Sequence, residues 1–174
     1  EHPQYLFYSP FYNVLMTAVP LEYIVKHYKP EEKLAQIMRA QRLDLLQKKL
    51  KKFILLLAEK SGVQPDSFGV TGSILTSIHR LNISDLDVTV YGYQNSLAVK
   101  RAIVDAYSQK NSGIKRFEGS DLAAWCKSKT EGHPLTLNEA MELYKRKWNI
   151  GIFDGTRFSV HPVKPEEEIT EQYA

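Results

Sequence analysis

Asp85 and Asp87 stand one residue apart in the run SDLDVTVYG, residues 84–92, where polar and apolar side chains alternate. Such alternation predicts a strand with Leu86, Val88 and Val90 on one face and Asp85, Asp87 and Thr89 on the other. Two carboxylates on one face, with roughly 7 Å between their Cα atoms, repel each other unless a cation sits between them. Magnesium prefers a few carboxylates plus waters and substrate phosphates, and two such ions about 3.5–4 Å apart can hold the attacking and leaving oxygens of a phosphoryl transfer. The aspartate pair thus reads as a bed for a divalent ion such as magnesium or manganese.

The stretch FGVTGSIL, residues 68–75, supplies the other half of such a site. It predicts a strand entering a tight turn, where Gly72 lets backbone approach a ligand. Ser73 then begins a short helix whose free N–H groups attract anions. Ser73 also reads as a plain helix cap, and the two roles coexist. Ile74, Leu75 and Ile78 are expected to bury one side of this helix, and the loop through Asn82 returns the chain to the aspartate strand. Phosphate and metal then meet at one edge of a sheet. A nucleophilic pairing of Ser73 with His79 is rejected, because no G-x-S-x-G elbow surrounds the serine.

Positioning these residues takes the rest of the chain. Residues 1–30 are aromatic and poorly charged, with Pro10 and Pro20 breaking any long helix, and predict short strands or extended segments packed on something. Residues 31–62 form a helical segment. Pro30 starts a first helix with Glu31 and Glu32 near its positive end, Asp44 caps a second, and Gly62 stops it. Leu46, Leu50, Phe53, Ile54 and Leu57 recur at helical spacing, while Lys48, Lys49, Lys51 and Lys52 read as a solvated outer face in preference to the alternative of a nucleic-acid patch. Lys145, Arg146 and Lys147 read the same way. Residues 63–164 form the core: strand, turn, short helix, loop and strand up to Gly92, a helix from about Asn95 to Lys110, and a loop holding Gly113, Gly119 and Gly132. A helix from about Leu137 to Trp148 follows, then the hairpin IGIFDGTRFSVHPV with Asp154-Gly155 as its turn. Residues 165–174 read as a frayed tail.

Composition bounds the function classes. At 174 residues and 43% apolar content the chain suits one domain with a real core. A net charge of +3 allows a polyanionic partner without demanding one. The single cysteine, Cys126, excludes an internal disulfide framework, and the five scattered histidines match no zinc pattern. The apolar run FILLLA, residues 53–58, is too short to span a bilayer, and no charged-then-apolar leader is present, so the expectation is a soluble cytoplasmic protein with no membrane partner.

Gly72-Ser73, eleven intervening residues, and Asp85-Leu86-Asp87-Val88 resemble the signature of the DNA polymerase beta-type nucleotidyltransferase superfamily. The wider order also resembles a group of uncharacterised archaeal nucleotidyltransferases: an aromatic start, a KPEEKL helix, FGVTGSIL, SDLDVTVYG and a terminal strand ending HPV. The resemblance implies an α+β fold with a mixed sheet flanked by helices. It implies a nucleoside triphosphate held by Gly72 and Ser73, metal held by Asp85 and Asp87, and transfer to an acceptor hydroxyl on a nucleic acid, a protein or a small alcohol. The family's third carboxylate, on a neighbouring strand, completes the metal site and helps deprotonate the acceptor. The matching strand here, TRFSVHPV, offers Ser159 and His161 instead, with His161 able to accept a proton when neutral. Asp154 at the hairpin tip, and Glu118 and Asp121 in the preceding loop, are not expected to replace the acid. Two classes therefore stand: an enzyme, or a nucleotide- or nucleic-acid-binding module on the same fold that has lost turnover.

Overall fold

The structure, a computed structural model, describes residues 2–170. An antiparallel pair, β1 (Leu6–Ser9) and β2 (Val14–Thr17), opens it. These are the strands expected of the aromatic segment, but the expected packing is not there: Leu6, Phe7, Tyr8 and Leu15 are each at least half exposed. With apolar residues on both faces, two short strands have no inner side on which to bury them.

The helices begin where the capping signals lie. α1 (Pro30–Arg39) has proline in its first turn with Glu31 and Glu32, and buries Leu34 and Ile37. α2 (Leu45–Ser61) starts with a reciprocal capping box: the Asp44 carboxylate accepts from Gln47 N at 2.9 Å, and Asp44 N donates to the Gln47 side chain at 3.3 Å. Gly62 ends it at φ +73°, a left-handed conformation that glycine adopts without penalty. The α2 residues Leu46, Leu50, Phe53, Ile54 and Leu57 are essentially fully buried.

β3 (Phe68–Val70) leads to a single helical turn, α3 (Gly72–Leu75), and to β4 (Leu86–Tyr91). α4 (Tyr93–Ser108), β5 (Ile114–Lys115), α5 (Gly119–Gly132) and α6 (Leu137–Arg146) follow, then the hairpin β6 (Ile150–Phe153) and β7 (Thr156–Val163). Asp154 and Gly155, both at positive φ, form its two-residue turn. Two elements differ from expectation. The segment read as a glycine-bearing loop holds β5 and α5. Among the described residues α5 fully buries only Cys126, so it lacks the apolar stripe that announces a helix. The tail is also anchored: Glu168 accepts from Tyr93 N at 2.7 Å and so serves a free donor at the start of α4, while residues 171–174 lie outside the described residues.

The main sheet has the order β3-β4-β7-β6-β5, with β4 and β7 parallel and the other pairs antiparallel. The fold is thus α+β with a five-stranded mixed sheet flanked by helices. Leu86, Val88 and Val90 of β4, with Phe158 and Val160 of β7, line the buried face. Phe53 of α2 meets Phe153 and Phe158 there, with ring centroids 5.0 and 4.7 Å apart. Each such fully buried side chain contributes about 1.5–3 kcal/mol from removal of apolar surface from water. The alternate residues of β4 and β7 point away from this core and carry the polar groups. No helix among the described residues is long and apolar enough to cross a membrane.

Candidate active site

The two halves foreseen in the sequence meet on the polar face. Thr71 N donates to Asp87 O at 2.8 Å, which ties the turn after β3 to β4. Gly72 follows at φ +60°, and a Cβ built on it would overlap the Asp87 carboxylate at Oδ2. Glycine is needed there for its backbone conformation and for the approach of the turn to the carboxylate. Ile74, fully buried, anchors the turn from below, whereas Ile78 is 73% exposed and does not share in the packing expected of it.

Ser73 differs from its expected role. The cap position of α3 falls on Thr71, and Ser73 lies inside the turn with its Oγ 3.0 Å from Ser84 Oγ. Ser84 Oγ also accepts from Arg80 N at 3.0 Å. Ser73 therefore links the turn to the end of the loop that delivers Asp85. With a single helical turn there is little macrodipole, so an anion would meet the hydroxyls and backbone of the turn and not a developed helix terminus.

Asp87 is bound into β7. In the parallel register Asp87 faces Ser159 and Thr89 faces His161. Ser159 Oγ donates to Asp87 Oδ1 at 2.6 Å, and His161 Nε2 lies 2.8 Å from the same hydroxyl. A hydroxyl has one proton, so once it is given to the carboxylate the imidazole must donate through Nε2. In this arrangement Nε2 of His161 is the donor to Ser159 Oγ. For His161 to serve as the expected base, Nδ1 is the nitrogen that would have to take the proton.

Asp85 lies at the rim with part of its surface in solvent. Partial enclosure of its carboxyl pushes its pKa up, the Asp87 charge pushes it further, and the Arg157 guanidinium opposes both. Arg157 Nη2 donates to Asp121 Oδ1 at 2.9 Å, and its guanidinium sits 5.4 Å from the Phe117 ring centre. Asp121, expected in a loop, belongs to the first turn of α5. Sequence reasoning missed Arg157, although the alternation that pairs Ser159 with His161 in TRFSVHPV places Arg157 on the same face. A cleft of about 460 Å³ lies in front of this end of the site, lined among others by Lys49, Ser84, Asp85, Asp121 and Arg157.

The remaining candidates fall elsewhere. Asp154 is at the hairpin tip, 3.5 Å from Lys52, and Glu118 precedes α5 without capping it. Among the described residues no group of three His, Cys, Asp or Glu side chains is placed to hold a metal ion. The residues present suit a cation bound by two carboxylates, waters and substrate phosphates, as magnesium is in phosphoryl-transfer sites, and do not suit a closed protein cage. Asp85 and Asp87 would provide the charge for such an ion; the Asp85 pKa is raised first by enclosure and second by the charge of Asp87.

His79 turns away from Ser73. Its Nε2 lies 2.8 Å from Asp44 Oδ2 with the ring 9% exposed, joining the loop before Asp85 to the start of α2. Three of the four helix lysines make contacts with other elements: Lys49 donates to Asp154 O and Thr156 Oγ1, each at 2.8 Å, Lys51 donates to Met38 O at 2.7 Å, and Lys52 meets Asp154 in an exposed pair.

No family model matches the chain, and no solved structure matches it. An uncharacterized protein of Methanocaldococcus jannaschii is 33% identical over 171 residues, which make up 98% of this chain and 49% of that protein. The chain thus spans about half the length of that relative.

Proposed function

We propose that the chain is a magnesium- or manganese-dependent nucleotidyltransferase acting in the cytoplasm, which moves a nucleotidyl group from a nucleoside triphosphate to an acceptor hydroxyl. The observation that carries this reading is the contact of the Gly72 turn with Asp87, in a face where Asp85 and Asp87 project together. In the reaction, the acceptor oxygen forms a bond to the α-phosphorus, the α–β phosphoanhydride breaks, pyrophosphate leaves, and the hydroxyl proton passes to a base. A bound divalent cation supplies neutralisation of charge on the phosphate oxygens. Asp85 and Asp87 would hold that cation, and the Thr71–Ser73 turn would receive the phosphate chain. Ser159 fixes the rotamer of Asp87, and Nδ1 of His161 is the acceptor for a proton arriving from its side of the site.

A second reading, a nucleotide-binding module without turnover, is favoured by one specific observation: the strand position facing Asp87 carries Ser159 and no carboxylate. The two readings separate in an assay of labelled nucleoside triphosphate against RNA, DNA, protein and small-alcohol acceptors, run on the wild type and on Ser159→Asp, Ser159→Glu, His161→Asp and His161→Glu. Transfer by the wild type, enhanced in one variant at constant triphosphate affinity, is the expected result. Triphosphate binding without transfer in all five proteins would establish the module instead.

A further inference from the structure

Beyond His161 the polar face continues into a second cavity, of about 520 Å³, between β6, β7 and the helices α5 and α6. Its character is opposite to that of the cleft at Asp85. Trp125, Leu135, Leu143 and Ile150 supply apolar walls, Lys129 and Lys147 supply charge, and His161 forms the border with the carboxylates. Among the described residues lining it there is no Asp or Glu. Ile150 faces Ser159 in the β6–β7 register, so the floor of the cavity adjoins the hydroxyl that holds Asp87. Trp125 is braced by Tyr144, with ring centroids 5.3 Å apart, and Tyr144 is in turn stacked on Phe117 at 5.4 Å. Lys129 Nζ sits 5.5 Å from the Trp125 ring centre.

We propose that this cavity is the acceptor subsite and that it takes the terminal nucleotide of a single-stranded nucleic acid. The assignment rests on the nucleotidyl-transfer reading, which requires a hydroxyl to arrive on the side of the site that His161 occupies. A braced indole gives a base a flat surface on which to stack, and stacking is tolerant of sequence because every base has a π-face. Two lysines beside the indole, with no carboxylate facing them, match the phosphates that flank a base and would not suit a basic peptide. The volume lies within the range of small-molecule and nucleotide pockets. The Asp85 cleft, where carboxylates and Arg157 converge, stays with the triphosphate and its cation, so donor and acceptor enter from opposite ends of one strand pair.

The test is fluorescence anisotropy of a labelled hexa-adenylate RNA in excess chelator, with magnesium-dependent triphosphate affinity measured separately by calorimetry. Trp125→Ala is expected to weaken oligonucleotide binding about tenfold, and Trp125→Phe to recover most of the loss. The Lys129→Gln, Lys147→Gln pair is expected to reduce the salt slope of the binding constant by about 1.4, from about 0.7 per phosphate contact on a single strand. Neither change should move triphosphate affinity. Because Trp125 packs on Tyr144, the lysine variants provide the measurement if Trp125→Ala fails to fold. Absence of oligonucleotide binding, or binding indifferent to both sets of variants, overturns the proposal. So does oligonucleotide binding that needs magnesium and vanishes in Asp85→Asn, or a neutral serine peptide that binds with the same dependence on Trp125. A protein whose oligonucleotide binding follows these residues while it binds no triphosphate would remove the acceptor role through failure of the transfer reading, and would leave a nucleic-acid site.

Discussion

The two faces of β4 and β7 differ by a one-residue step along the same backbone and have opposite physics. On one face Leu86, Val88, Val90, Phe158 and Val160 are at most 2% exposed and pack on α2 and α4. On the other, Asp85, Asp87, Arg157, Ser159 and His161 crowd like and unlike charges at the edge of solvent. The first face stabilises the strand pair. The second works against it, since the ionised form of Asp85 is disfavoured by enclosure and by Asp87. A site of this kind can be held only by a scaffold whose stability comes from elsewhere, and here it comes from the reverse side of the same two strands.

That contrast is most sharply tested by removing core volume behind the site. Phe158→Ala should cost about 3–5 kcal/mol in urea-induced unfolding, because it empties the space against Phe53. At a temperature where the variant is folded, its magnesium-dependent triphosphate affinity should match the wild type. A loss of affinity in the folded variant would show that the two faces are not separable. Gly72→Ala attacks the other side. Forcing a side chain into φ +60° against the Asp87 carboxylate should cost about 2 kcal/mol and abolish triphosphate binding together. Retention of binding would mean that the turn does not form the phosphate seat.

A smaller effect is expected from relieving the charge. Folding raises the Asp85 pKa above 3.8, so the folded state holds that proton more tightly. The stability this contributes is present at low pH and is lost as pH rises through the raised value. Asp85→Asn should therefore be more stable than the wild type near pH 7 by less than about 1 kcal/mol, discounted because the group is partly in solvent, and equal to it near pH 3. Thermal melts at both values check this, and added magnesium should raise Tm for the wild type and not for the variant. The smallest change expected is Lys52→Gln: its ion pair with Asp154 is exposed on both sides, so stability should fall by no more than a few tenths of a kcal/mol, read by urea unfolding, with triphosphate binding untouched.

Much of this architecture was legible in the sequence because it is written locally. Alternation through Asp85 to Val90 fixes both faces, Asp44 and Gly62 bracket α2, and Asp154-Gly155 dictates the hairpin turn. What escaped depends on partners distant in the chain. The parallel pairing of β4 with β7 brings Ser159 to Asp87, and only that contact reveals that His161 must donate through Nε2. Arg157 was readable by alternation but gains meaning from Asp85 and Asp121, which come from two other elements. α5 buries too few side chains to show a helical stripe, and so the wall of the apolar cavity could not be foreseen. The aromatic segment carries the composition of packed structure, yet Leu6, Phe7, Tyr8 and Leu15 are at least half exposed.

The central claim is that Asp85 and Asp87 form a bed for a divalent cation that carries a nucleoside triphosphate. Isothermal calorimetry of triphosphate binding, in magnesium and in excess chelator, on the wild type and on the Asp85→Asn, Asp87→Asn double variant, addresses it most directly. The account predicts binding by the wild type in magnesium alone, with loss of at least tenfold in chelator and in the double variant. Equal affinity in chelator, or undiminished magnesium-dependent affinity without the two carboxylates, would contradict it.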